Sequence, residues 1–378
     1  MSGARAGIYV HLPFCPYLCP YCDFAKWIAD GAAQTQYLDA LHAEIAATAP
    51  QPAATAFLGG GTPNVYPPAA VGRLVGALRD RFDLPDGAEI TIELNPDLAL
   101  CEGFDAYRAA GVSRLSIGAQ SFDPRALRVL GRRHAPEDVA TVVRRARAAG
   151  FENVSVDLIF GVPGQTAATW SATLDRALEL EVEHISAYGL TIEPDTPYAT
   201  WFAREPAAFV SNDLEAEFYE LAIDRFGEHG YEQYEISNFA RPGRRCAHNA
   251  NYWAGGEYVG LGVGAAGYLG GERSIHTRDR AAYVAAARTG RPIPGDAERL
   301  EGAARLGEAV MLALRTSEGV ELAGFAERYT FDVLDTYREE LAEMQALELM
   351  EVSPTHVRLT RRGRMLANDV ACRFVRLP

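Results

Sequence analysis

The chain has no apolar run long enough to cross a bilayer, which takes about 20 predominantly apolar residues in a row. Its opening, Met1–Ala6, leads straight into a strand-like segment without the apolar stretch of a secretory signal. Cysteine is scarce: six in 378 residues, too few and too clustered for a disulfide framework. Free thiols without a signal segment suggest a reducing cytoplasm and metal work. There is no low-complexity segment and no short repeat. Positive charge is in deficit, with 36 Lys and Arg against 50 Asp and Glu, a net charge of −14. That balance argues against nucleic acid or an anionic membrane surface as the main partner. Peripheral membrane association stays open.

What is present is a regular alternation of apolar segments. Strand patterns fall at residues 7–12, 55–58, 89–93, 114–118, 154–160 and 184–190. Helical spacing separates them, near residues 35–48, 68–81, 103–110, 136–149 and 167–178. Six strands alternating with helices imply βαβ units and a parallel sheet. Six such units make an α/β fold, an open, partial (β/α)6 version of the eightfold barrel. After Thr191 the pattern breaks: residues 194–206 read as a loop, 212–228 as an amphipathic helix, and 235–271 as a Gly-, Asn- and aromatic-rich stretch. From about residue 299 come three helical segments (306–314, 322–329, 333–347) and a strand–turn–strand around Ser353-Pro354-Thr355. The expected division is a barrel over 1–195, an extension and linker over 196–298, and a winged-helix-like module over 299–378. Arg361, Arg362 and Arg364 form only a small basic patch, so the module reads as a packing unit rather than a DNA binder.

The segment Phe14–Phe24 carries Cys15, Cys19 and Cys22 at C-x3-C-x2-C spacing, just after the first strand. Structural zinc sites close with four ligands, and iron–sulfur clusters are usually held by four cysteines. Three thiolates therefore suggest a cluster with one iron open to a small molecule. A zinc scaffold would need a fourth ligand, for which Asp23 or His11 is available. In a parallel barrel, chemistry gathers at the C-terminal ends of the strands. Strand two ends in Gly59-Gly60-Gly61-Thr62-Pro63, where glycines let a ligand approach the backbone. Strand three ends at Glu93, strand four at Gln120, and strand five contains Asp157.

In this order, these residues resemble the radical S-adenosylmethionine (SAM) superfamily. The resemblance implies that Cys15, Cys19 and Cys22 hold a [4Fe-4S] cluster whose open iron chelates SAM. It also implies reductive cleavage of SAM to a 5′-deoxyadenosyl radical, the hard chemistry being the cofactor's, and hence an electron donor. Y-V-H-L-P-F-C, G-G-G-T-P, S-I-G-A-Q-S-F, D-L-I-F-G-V-P-G-Q-T and Y-E-I-S-N-F-A-R-P-G narrow the resemblance to the oxygen-independent coproporphyrinogen oxidase group. Carried over by position, SAM contacts are Tyr9, Tyr21, Gly60, Gly61, Thr62, Glu93, Gln120, Arg132 and Asp157, with Arg133 an alternative to Arg132. No residue is assigned a catalytic role.

Two departures separate the chain from the oxidase. Phe24 stands where the oxidase has a further cysteine, and only eight residues precede Tyr9, short of that enzyme's N-terminal extension. Both are typical of the haem-chaperone branch, HemW, as is His248-Asn249-Ala250-Asn251-Tyr252-Trp253, an H-N-x-x-Y-W motif. The resemblance makes His248 a candidate haem ligand and Tyr252 and Trp253 candidate haem-site residues. A lone histidine in a polar loop is otherwise most simply structural. Cys246 is an alternative ligand. Such chains usually read G-A-H where this one reads Gly264-Ala265-Ala266. The expected function is haem binding and delivery to haem-requiring proteins. The alternative is a radical SAM enzyme, either a coproporphyrinogen III oxidase or a HemN-like methyltransferase. Cys101 and Cys372 read as small buried residues and His134 as a solvated loop residue. Tyr188, Glu193 and Asp195 receive no role.

Overall fold

Near-continuous apolar runs mark strands buried on both faces, and the six expected segments obey this. The computed structural model describes residues 5–375, so most of the Met1–Ala6 lead-in lies outside the described residues. Parallel strands at Ala6–Leu12, Ala53–Gly60, Glu89–Leu94, Arg114–Gln120, Val154–Phe160 and His184–Gly189 lie side by side in chain order. Helices cross between them, among them Gly31–Ala47, Pro68–Phe82, Phe104–Ala110, Pro136–Ala148 and Ala167–Leu178. Their starts are chemically marked: Asp30 accepts from Ala33 N and Thr166 from Thr169 N, each N-cap worth about 1 kcal/mol. Ile8, Val10, Ile90, Ile92, Leu115, Ile117, Val154 and Val156 are fully buried along the strand interiors. The chain is an α/β protein with a large central sheet, parallel across these six strands.

The sheet is wider than the sequence suggests. Tyr258–Leu261 runs parallel against the outer edge of the first strand, pairing Gly7 with Tyr258 and Val10 with Leu261. Ala266–Leu269, Glu272–His276 and Gly295–Arg299 continue antiparallel. At the other edge, Asn238–Ala240 and Glu232–Gln233 add antiparallel strands, making a twelve-stranded sheet. The added strands run from two to five residues, too short for a period to declare itself. Buried Glu44 fixes the turn between two of them, accepting from Gly262 N (2.9 Å) and from the Tyr283 hydroxyl (2.6 Å). The main apolar core runs from Ile8 to Ala287 and so includes this extension.

Two local expectations fail. Residues 194–206 are not all loop: Pro197–Arg204 is a helix, with Thr196 capping Ala199 N and Pro197 in the first turn, where its missing N–H costs nothing. The expected helix over 333–347 breaks at Tyr337 into Val333–Thr336 and Arg338–Ala346. The C-terminal unit packs its own core (Leu306, Val310, Val320, Tyr337, Val357, Phe374) beside a three-stranded sheet. Arg361 pairs with Asp224 at 2.6 Å and Arg362 lies 3.9 Å from Glu348, which neutralises most of the basic patch. No helix among the described residues is long and apolar enough to cross a membrane.

Candidate functional site

The ends of the six strands open on a chamber of about 520 Å³. Cys15, Cys19 and Cys22 line it together with Tyr21, Gly60, Gly61, Thr62, Glu93, Gln120, Arg132 and Asp157. All three cysteines are free thiols. Burial pushes the Cys15 thiol up to about 11 and raises Cys22 as well.

The glycine run lines the chamber and also has a structural job. Gly60 N donates to Glu93 Oε2 at 3.0 Å, Gly61 N to Leu12 O at 2.9 Å and Thr62 N to Phe14 O at 2.8 Å. A Cβ on Gly60, whose φ is +104°, would lie 2.4 Å from the His11 ring, and one on Gly61 would lie 2.7 Å from Leu12 O. Glycine is needed there so that strand two can clamp the approach to the cysteine loop.

Buried carboxylates face the loop from the next strands. Glu93 is pushed up to about 7, first by burial and then by the charge of Asp157. Asp157 is raised by burial too, and accepts from Ser116 Oγ at 3.0 and 3.2 Å. Gln120 sits in the left-handed region at φ 64°, beside a register shift in strand four. A bulky residue there is uncommon and marks local strain. Arg132 donates to Gly118 O (2.8 Å) and reaches Cys19 Sγ (3.9 Å), while its buried Nε has no acceptor. Arg133 stacks on Tyr17 at 4.7 Å instead and does not line the chamber, whereas Arg132 does.

A second cavity, of about 470 Å³, adjoins this one. Phe24 and Asp23 line both. Its remaining walls are aromatic and basic: Tyr252, Trp253, Tyr258, Tyr268, Tyr329 and the arginines 273, 278 and 305. Tyr9 lies on this wall rather than in the cysteine chamber, its hydroxyl 3.0 Å from His11 Nδ1. His248 is not in a polar loop. It lies fully buried on the helix Ala247–Trp253, with Nδ1 2.8 Å from Thr55 Oγ1 and Nε2 2.7 Å from the Tyr252 hydroxyl. Burial, with Arg114 nearby, drops it to about 3. Cys246 is buried against Glu89 (3.5 Å), pushed up to about 12, and lines neither cavity.

Residues 9–177 match the Radical SAM superfamily and residues 300–366 the HemN C-terminal domain. The heme chaperone HemW of Bacillus subtilis is 36% identical over 97% of this chain and 98% of its own length. That of Mycobacterium tuberculosis is 37% identical over 98% and 95%. The chain belongs to the HemW family of radical SAM proteins. In structure it is similar to the coproporphyrinogen III oxidase HemN of Escherichia coli, with a TM-score of 0.83 and 26% identity, covering 98% of this chain and 90% of that one.

The chamber suits the cofactors of the HemW family's superfamily. A cluster takes one thiolate per iron, and three free thiols share the wall. They do not gather on a single point; no group of three or more His, Cys, Asp or Glu among the described residues could hold one metal ion. Nor do His11 or Asp23, the candidate fourth donors of a zinc site, join the thiols in such a group among the described residues. His11 is engaged by Tyr9 and by Ala25 O (2.7 Å), and Asp23 is held by Arg278. Opposite the thiols, buried carboxylates suit an ammonium, and the unpartnered Arg132 Nε suits a carboxylate.

Several chamber residues escaped the sequence reading. Tyr188 and Glu193 line it, and strand six, the last of the series, offered the signal. Asn95 ties the end of strand three to the cysteine loop by donating to the Tyr17 hydroxyl at 3.0 Å. Lys26, the only lysine in the chain, lines the chamber and donates to Cys22 O; a lone lysine among arginines was a visible signal. His134 is buried, with Nε2 3.1 Å from Ala119 O, not solvated. Cys101 is buried, whereas Cys372 is exposed.

Proposed function

We propose that the chain is a haem chaperone: it binds haem and delivers it to haem-requiring proteins in the cytoplasm, carrying a SAM-binding [4Fe-4S] cluster served by an electron donor. The observation that carries this is the near full-length relation to heme chaperones at 36–37% identity, with Phe24 where the oxidase group has a further cysteine.

When bound, the cluster and SAM supply one-electron chemistry. The chain's own residues do the rest. Cys15, Cys19 and Cys22 hold the cluster, and Lys26 and Arg132 place positive charge beside it. Glu93 and Asp157 receive the ammonium of SAM, Arg132 its carboxylate, and Tyr21 closes the wall by packing edge-on against Tyr198 at 6.3 Å. Tyr9 lines the adjoining cavity, near Glu93. The aromatic side cavity offers haem flat faces, and His248 acts through Tyr252 rather than as an exposed ligand.

The test is anaerobic purification, cluster reconstitution and a haem titration followed in the visible spectrum. Stoichiometric, retained haem supports the reading; no retained haem overturns it. The intact chamber favours a second reading, a radical SAM enzyme. Multiple-turnover conversion of coproporphyrinogen III to protoporphyrinogen IX would establish that reading in place of the first.

A further inference from the structure

The side cavity is built from two parts of the chain whose fully buried side chains form distinct clusters. Tyr252, Tyr258 and Tyr268 come from the barrel's sheet extension, Arg305 and Tyr329 from the C-terminal unit. Its volume of about 470 Å³ lies in the range of small-molecule sites, roughly 300–1,000 Å³. Two large apolar side chains line it while staying exposed, Phe24 at 62% and Ile275 at 46%. Such exposure in a cavity wall marks a surface that a ligand covers.

The charges are as selective as the aromatics. Three arginines meet at one cavity in a protein of net charge −14, but they are not equally available. Arg273 is committed to Glu308 (2.5 Å) and Glu298 (3.3 Å). Arg278 is exposed and pairs with Asp23 Oδ1 at 3.2 Å, an exposed pair of the weak kind that a better anion displaces. Arg305 is exposed, lies 5.5 Å over the Tyr329 ring and has no carboxylate partner among the described residues. Two accessible guanidiniums over an aromatic slot fit a flat ligand bearing two carboxylates.

We propose that this cavity, rather than the cysteine chamber, seats haem, with its two propionates taken by Arg305 and Arg278. The assignment rests on the haem-chaperone reading. In taking a propionate, Arg278 gives up Asp23, which adjoins the cluster ligand Cys22. Phe24, on the wall common to both cavities, lies between the macrocycle and the chamber.

The test compares the reconstituted full chain with Arg305→Glu, Arg278→Gln and Ala309→Phe, titrated with haem and with haem dimethyl ester. Cluster absorbance serves as the control for folding. For the wild type, the ester is expected to bind at least tenfold more weakly than haem. Arg305→Glu is expected to lose at least tenfold in haem affinity and to bind ester and haem alike, and Arg278→Gln to lose severalfold. Ala309→Phe, which fills the cavity from the helix Gly302–Leu314, is expected to lose binding of both. If the wild type binds haem but ester, arginine variants and filled cavity all match it, the site lies elsewhere and only this inference falls. If the wild type binds no haem at all, the chaperone reading falls with it.

Discussion

Nε2 of His248 lies 2.7 Å from the hydroxyl of Tyr252, one helical turn away on the same short helix. On its other side the imidazole meets Thr55 Oγ1 at 2.8 Å, and its face stacks on Phe57 at 5.4 Å. A neutral imidazole has one donor and one acceptor nitrogen, and both are spent inside the protein. Tyr252, in contrast, turns a face to the side cavity. In this arrangement both nitrogens of the motif histidine are occupied by Thr55 and Tyr252.

His248→Ala should leave two buried hydroxyls unpartnered and open a void beside Phe57. Together these cost about 2–4 kcal/mol of stability, read as a lowered urea midpoint. Haem affinity should fall with it. The Soret band of the haem that remains bound should keep its position, because the iron environment is unchanged. A shift in that band would make His248 an iron ligand instead.

Glu93 gives the empty protein a measurable pH signature. Its folded pKa, about 7, lies above the ordinary carboxylate value of 4.5. Its protonated form therefore supports the fold fully below the unfolded value, and that support fades as pH rises through 7. By linkage the loss is at most about 3 kcal/mol. Glu93→Gln cannot ionise, so relative to wild type it should be more stable at pH 8 than at pH 5.5. Equal stability differences at the two pH values would show that Glu93 has an ordinary pKa.

The strand–helix alternation was legible because each strand is buried on both faces and each helix carries a long apolar stripe. Cys15, Cys19 and Cys22 were legible from their spacing and Glu93, Gln120 and Asp157 from the convergence of strand ends in a parallel barrel, whereas Arg132, between the helices Pro124–Val129 and Pro136–Ala148, came only from the resemblance. What the sequence hid depends on tertiary pairing. The four residues of Tyr258–Leu261 have no period of their own and become a strand only beside Ala6–Leu12. Tyr9 lines the side cavity and feels the charge of Glu93 in the chamber, a position between the two cavities that strand alternation does not reveal. His248 looked like part of a polar loop because its neighbours are polar, although it lies on a helix with Thr55 and Tyr252 around it.

Arg132 bridges a carbonyl, Gly118 O, and a cluster thiol, Cys19 Sγ. The planar fork meets them with two separate nitrogens, Nη2 and Nη1, where a lysine has a single nitrogen on a flexible stem. Arg132→Lys should reconstitute with less iron per chain and lose its cluster absorbance faster in air. Arg133→Lys, one residue along and outside the chamber, should behave as wild type. Equal cluster retention in the two variants would remove Arg132 from the site.

Ala266 offers a gain of function rather than a loss. It lines the side cavity at the start of the strand Ala266–Leu269, at the position where HemW-like chains usually carry histidine. Its side chain is half-buried on the cavity wall, and imidazole is a common axial ligand of haem iron. Ala266→His should therefore tighten haem binding by about tenfold, equivalent to about 1.4 kcal/mol, and shift the Soret band to that of histidine-ligated haem. Arg305→Glu in the Ala266→His background should still weaken binding, because the carboxylate clamp acts independently of the iron. An Ala266→His protein with unchanged spectrum and affinity would mean that the iron lies away from this wall, and that the cavity holds its ligand by the macrocycle and carboxylates alone.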